Sequence, residues 1–162
     1  MGYMDNNLMF NSSLSCFVLS SFVKIYQEQT NFEDYPSLGK LFLVLPFVWH
    51  KTSRENISRR YLSTPFDVVI RDKPEILVGI VDRTLQYIPI TCQGLNIACN
   101  TGLLDSIKKD NSEQYFKFIH SQWPRGSKVN NIPKNMEATS TRLSNWFKNY
   151  TDAELFTIVG IT

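Results

Sequence analysis

Histidine is almost missing from this chain. His50 and His120 are the only two, so a His-rich metal site is excluded, and no acid pair is tied to either by a ligand motif; both read as surface or capping residues. Cysteine is scarce as well. Cys16, Cys92 and Cys99 are odd in number and form no close metal-ligand pair. On a shared helix Cys92 and Cys99 would lie about 10 Å apart, beyond the ~7 Å that a disulfide spans. A reducing, cytoplasmic setting fits that usage. All three fall in apolar helical patterns, which favours packing over a thiolate nucleophile beside a base. Glycines never take phosphate-loop spacing: Gly126-Ser127-Lys128 lacks the glycine that should precede it.

Charge of one sign is also lacking. Seventeen Lys+Arg against fifteen Asp+Glu leave a formal +2, without the broad basic excess that releases counterions from nucleic acid, so any DNA contact must be local. The first 23 residues hold no Lys or Arg and include Asp5, unlike a secretory leader. The most apolar run, Leu41 to Trp49, contains Pro46 and is about half of the ~20 residues a membrane span needs. Neither a membrane role nor export is expected, and the three Asn-x-Ser/Thr triplets read as chance. A metal nuclease would want an acidic residue two before its lysine; ahead of Lys73, after Asp67 and Asp72, that place is held by Arg71. The chain reads as a non-enzyme.

What is present is apolar patterning. A content of 43% hydrophobic residues suffices for a real core, and 162 residues suit a single domain over 1–162, with a flexible start at 1–10. Asn11 is placed to cap a helix running to about Gln29, apolar on most sides. A second helix from Pro36 or Ser37 is expected to carry Leu41, Phe42, Leu45 and Val48, bent at Pro46, with a break near His50. Ser53 is expected to cap a short basic helix, and Thr64-Pro65 to open another.

Over 74–120 the pattern suggests a winged helix-turn-helix-like unit. Pro74 opens one helix, Pro89 ends it at a tight corner and starts the next, and Gly102 closes that one. Strands at Leu103–Ile107 and Gln114–His120 then flank a polar turn and make a small two-stranded wing. A long loop over 121–134 holds Trp123. Helices over 135–160 follow, with Met136, Leu143, Trp146, Phe147 and Tyr150 on one face and a capping box at Thr151 to Glu154 before Gly160. The fold class is therefore mainly α.

Binding residues are sought where chemistry is absent. Gln93, Asn96 and Asn100 share a helix face and could present amides to base edges, while Lys108, Lys109 and Lys117 could meet phosphate from the wing. Equally, such amides could be a solvated face. Arg54, Arg59 and Arg60, with Trp123 and Arg125, are candidate partner anchors, although the arginines could face DNA and Trp123 could fold back on its own core.

Several stretches resemble one family: the Asn11 helix, Tyr26-Gln27-Glu28, Leu41-Phe42-Leu43-Val44-Leu45-Pro46 followed by His50-Lys51 and Arg54-Glu55, Gly102-Leu103-Leu104, Leu143 with Trp146-Phe147, and Phe156-Thr157-Ile158-Val159-Gly160. In order and spacing, from Asn11 to Thr162, the chain resembles the middle component of bacterial three-component ABC systems, including Lamassu-like anti-phage systems. It departs from that pattern at Ser12, where relatives have proline, and at Ile161-Thr162, where they often end in Gly-x-Arg/Lys-Pro. The resemblance implies an adaptor working with an SMC-like ABC ATPase and an effector subunit, often a nuclease. It carries over no catalytic residues, and ATP and Mg would belong to the ATPase. Double-stranded DNA would be met through the complex. The alternative is a free-standing winged-helix transcription regulator.

Overall fold

The computed structural model describes residues 11–127 and 132–161. The flexible start expected at 1–10, residues 128–131 of the long loop and Thr162 lie outside them. The first helix, α1, is Ser12–Gln29, and the Asn11 side chain accepts the Leu14 N–H at 2.9 Å as its cap. Cys16, Val18, Leu19, Phe22, Val23 and Tyr26 are all buried. A helix apolar around most of its circumference must be wrapped by others. Here α6 (Ile80–Asn100) and α7 (Lys134–Phe147) cover its sides.

Between α1 and α6 the chain makes short helical pieces. The single helix expected after Pro36 is two, α2 (Leu38–Leu41), capped by Ser37, and α3 (Val44–Val48). The break falls at Phe42–Leu43 rather than at Pro46, because Pro46 sits in the first turn of α3, where its missing N–H has no intrahelical partner to lose. α4 (Lys51–Ser58) is capped by His50, not by Ser53. Ser53 lies inside that helix, fully buried, with its hydroxyl donating to Ile76 C=O at 2.9 Å. α5 (Phe66–Asp72) starts one residue later than expected, with Pro65 at its cap position, and leads into a 3₁₀ turn at Pro74–Leu77.

The largest departure from expectation is at Pro89. No corner forms there: α6 is continuous, with the proline inside it. Its real start is Ile80, after Gly79 in the left-handed region at φ 73°. A proline in mid-helix removes one hydrogen bond, here to Leu85 C=O, and ordinarily costs ~3 kcal/mol. Leu85 and Pro89 both face solvent, so water can reach the freed carbonyl. The opposite face, Ile80, Thr84, Tyr87, Thr91, Gly94 and Ala98, is buried and holds the helix against α1. One contact there joins the two helices, the Ser15 hydroxyl donating to Ile90 C=O at 2.8 Å.

The C-terminal end of α6 closes as expected. Gly102 has φ 78°, and the Leu103 and Gly102 N–H groups return to Ala98 and Cys99 C=O at 2.9 and 3.2 Å. The chain then forms β1 (Leu104–Lys108) and β2 (Gln114–Phe118), antiparallel, with Leu104 opposite Phe118 and Lys108 opposite Gln114. β1 is thus displaced by one residue from its expected place, and β2 starts as expected but ends two residues earlier. Leu104, Phe116 and Phe118 turn inward, and Trp123 covers Phe118 with ring centroids 5.0 Å apart. Finally, α7 and α8 (Asp152–Val159) follow. The Thr151–Glu154 capping box and Gly160 at φ 86° stand where the sequence placed them. Trp146 Nε1 donates to Thr64 C=O at 2.8 Å, and the indole stacks on Phe66 at 5.0 Å.

A side chain of α1 holds the hairpin in place. The buried Gln27 amide pairs with both backbone groups of Phe118: Nε2 donates to its C=O at 3.1 Å, and Oε1 accepts its N–H at 2.9 Å. Farther along the same edge of β2, the Phe116 N–H donates to Pro36 C=O at 3.1 Å. Gln27→Leu should leave two buried backbone groups unpaired and cost about 2–4 kcal/mol. Urea unfolding will measure it, and the Phe118 amide should exchange much faster; unchanged protection at Phe118 would contradict this assignment.

Candidate functional site

The wing lysines do not form one basic patch. Strand alternation places Lys117 on the outward face, opposite Asp105, and Lys108 on the other face, opposite Gln114. Lys109 lies in the turn with its ammonium 4.0 Å from the Tyr115 ring centroid. All three lysines are exposed, but Lys108 and Lys117 stand on opposite faces of the hairpin.

Gln93, Asn96 and Asn100 are exposed together on the side of α6 turned away from α1. A DNA-reading helix is normally flanked by cations that hold the phosphates. From Thr84 to Leu104, however, there is no Asp, Glu, Lys, Arg or His. The amides instead border an apolar stripe formed by exposed Val81, Leu85 and Cys92, with exposed Asp82 beside its first residue. Cys92 was expected to be packed like the other cysteines, but it faces solvent; Cys99 is half-buried and Cys16 buried. Burial raises the thiol pKa of both Cys16 and Cys99, the reverse of what activates a nucleophile. Beside the C-terminal half of α6, Leu38, Leu95, Cys99 and Phe116 line a groove of about 310 Å³ whose polar margin includes Asn96, Ser106 and Gln114. The uncharged run was legible in the sequence. What hid its meaning was the corner read at Pro89, which divided one long face into two short ones.

The arginines separate by role. Arg54 is half-buried and donates to Val48 C=O at 2.9 Å, which ties α4 to the end of α3. Arg60 reaches Asp72 at 3.3 Å, and its own C=O accepts from Arg142 Nε at 2.7 Å. Arg59 is exposed and, with Arg60, Tyr61 and Lys73, borders an open cleft of about 400 Å³. Asp67 pairs with Arg71 at 3.5 Å, so Asp67 and Asp72 are each engaged in a surface ion pair. Trp123 is half-buried against Phe17 and Phe118, the arrangement in which it folds back on its own core. Neighbouring Arg125 remains exposed.

One polar cluster escaped the sequence reading. In a cleft of about 540 Å³ between the hairpin turn and the start of α8, the buried Lys40 ammonium donates to Tyr26 Oη at 2.9 Å, and Tyr26 donates to Asp34 at 2.8 Å. Ser37 donates to both carboxylate oxygens of Asp152, at 2.7 and 2.8 Å. Burial lowers the Lys40 pKa against the pull of Asp34, Asp152 and Glu154. Desolvation and the bond to Asp34 raise that of Tyr26. The Tyr115 phenol, bonded to Glu113, is pushed up to about 12. These partners satisfy one another and fasten α1, α2 and α8 together. Tyr26 reads in sequence as part of the apolar surface of the first helix and of Tyr26-Gln27-Glu28, and the residues it joins, 8 and 14 positions on, follow no helix or strand period. Among the described residues no group of three or more His, Cys, Asp or Glu is placed to hold a metal ion, and no helix is long and apolar enough to cross a membrane.

Comparison with known proteins gives one family. The family model for the ABC-three component (ABC-3C) system Middle Component 3 matches residues 5–162. No curated protein and no solved structure matches the chain.

Proposed function

Because the chain belongs to the middle component 3 family of ABC-three component systems, and so is one part of a system with other subunits, we propose that it is a non-enzymatic adaptor. It joins an SMC-like ABC ATPase to an effector subunit of nuclease type, in the cytoplasm of a prokaryote and in the manner of Lamassu-like anti-phage systems. ATP and Mg²⁺ belong to the ATPase. The observation that carries this reading is the family match over nearly the whole chain. From Thr84 onward the exposed face of α6 carries apolar and amide groups and no charge, which supports it as a surface made for protein contact.

Double-stranded DNA, where it is met, is held weakly and without sequence preference, since Lys108, Lys109 and Lys117 are dispersed over the wing. A free-standing regulator is disfavoured: the continuous α6 removes the corner between a positioning and a recognition helix, and no cation on that helix accompanies Gln93, Asn96 and Asn100 beyond Arg83, which is bonded to Pro46 C=O at 3.1 Å.

The test is co-expression with the other two components. The unmodified chain should purify with them as one assembly of defined mass. Alone it should neither hydrolyse ATP nor cut DNA, and DNA retention should fall steeply between low and physiological salt. Failure to bind either component would sink the adaptor reading, as would metal-dependent DNA cleavage by the isolated chain that Asp67→Asn or Asp72→Asn abolishes.

A further inference from the structure

We propose that the exposed face of α6 from Leu85 onward, which carries no charge, together with the groove beside its C-terminal half, docks an amphipathic helix of a partner subunit through the apolar, uncharged side of that helix. The inference rests on the adaptor reading and names the surface that reading requires.

The stripe has helix-seam spacing. Val81, Leu85, Ile88 and Cys92 recur at intervals of four, three and four residues, which aligns them along one line of the helix. On this line Leu85 is 64% exposed and Val81 38%. A solvated helix face normally carries charges. Depletion of charge with retention of apolar and amide groups is instead the composition of an interface core.

Charge also selects the occupant. A Lys, Arg, Asp or Glu pressed onto the stripe from Leu85 onward, or into the groove, would lose its hydration and find no counter-charge on α6 after Arg83 or in the groove lining, so the incoming side is uncharged there. Nucleic acid is excluded from this face for the same reason. Area argues against a second copy. A 21-residue helix is about 31 Å long, and a stripe ~10 Å wide along it offers about 300 Å² per partner, against the ~800 Å² of a standard interface. Two convex stripes meeting each other fall short. A partner helix that continues from Leu85 into the groove walled by Leu38, Leu95 and Phe116 contacts the hairpin as well, and the subunit that carries it supplies the remaining area. Asn96 at the groove and Gln93 and Asn100 beside it give hydrogen-bonding groups to the rim.

The experiment uses the full chain co-expressed with the ATPase and effector of its own system. Leu85→Asp should weaken binding of one of these subunits by roughly 100-fold, the effect of burying an unpaired charge, with the melting temperature unchanged. Lys117→Glu, on the outward face of the wing, should bind as the unmodified chain does. If Leu85→Asp lowers the melting temperature, Cys92→Asp, exposed on the same line at the groove, takes its place. A photo-crosslinker at position 92 should join an apolar stretch of a helix in that same subunit. Unchanged binding by the aspartate variant overturns this proposal while leaving the adaptor reading intact. So does crosslinking confined to DNA, to a second copy or to the chain itself. Absence of binding by the unmodified chain instead removes the adaptor reading.

Discussion

Replacing Phe147 by alanine is expected to cost about 3–5 kcal/mol of folding stability. The ring is fully buried at the end of α7, with Phe22 of α1, Phe47 of α3 and Phe66 of α5 at centroid distances of 6.0, 6.4 and 6.0 Å, all edge-on. Four helices therefore meet at one side chain. Its removal loses the transfer energy of a large aromatic and the edge-to-face contacts. The three remaining rings cannot collapse into the space without moving the helices that carry them. For a domain of this size the melting temperature should fall by about 10 °C or more. Thermal and urea unfolding followed by circular dichroism will decide it; a loss under ~1 kcal/mol would mean that the site refills freely and is not the keystone described.

The second large effect is expected from a gain of one carbon. A Cβ built on Gly94 would come within 2.9 Å of the Cys16 nitrogen and of the Ser15 carbonyl carbon, and closer still to Ser15 Oγ. Two of these obstacles are backbone, which no rotamer change can move. Gly94→Ala should thus force α1 and α6 apart, stretch the Ser15–Ile90 bond and cost about 2–3 kcal/mol, even though alanine is itself favoured in a helix by about 1 kcal/mol. Ser15→Ala tests the polar half of this crossing and should cost less. Were Gly94→Ala stabilising, helix propensity rather than close packing would govern the position.

How legible this was in the sequence depended on the range of the interaction. Caps and stops were read correctly at Asn11, Gly102, Thr151 and Gly160, because each is decided by a side chain and backbone groups a few residues apart. The buried face of α7 was equally plain, since a 3.6-residue period needs only its own helix. Pro89 was misread because local propensity favours a break there, whereas the packing of α6 on α1 outweighs the lost hydrogen bond. Ser53 was misassigned because its partner, Ile76 C=O, comes from another element. The Lys40–Tyr26–Asp34 chain and the Ser37–Asp152 pair were invisible for the same reason. Of the candidate binding residues, Gln93, Asn96 and Asn100 do share an exposed face. The Arg54 guanidinium, by contrast, is half-buried and bonded through one nitrogen to Val48 C=O within the fold.

The Gln27–Phe118 clamp has a temporal side. Its two halves are 91 residues apart in the chain, so closing it surrenders far more chain entropy than winding a helix does. The hairpin's own register is local and can form early, but its seat on α1 exists only after α1 and α2 have come together. Docking of the wing should therefore fall after the main barrier to folding, and disturbances at Gln27 should appear chiefly as faster unfolding, with the refolding rate almost untouched. During synthesis the same order applies. The N-terminal half emerges with the edge-binding amide of Gln27 waiting, and the strand it holds arrives only when most of the chain has been made.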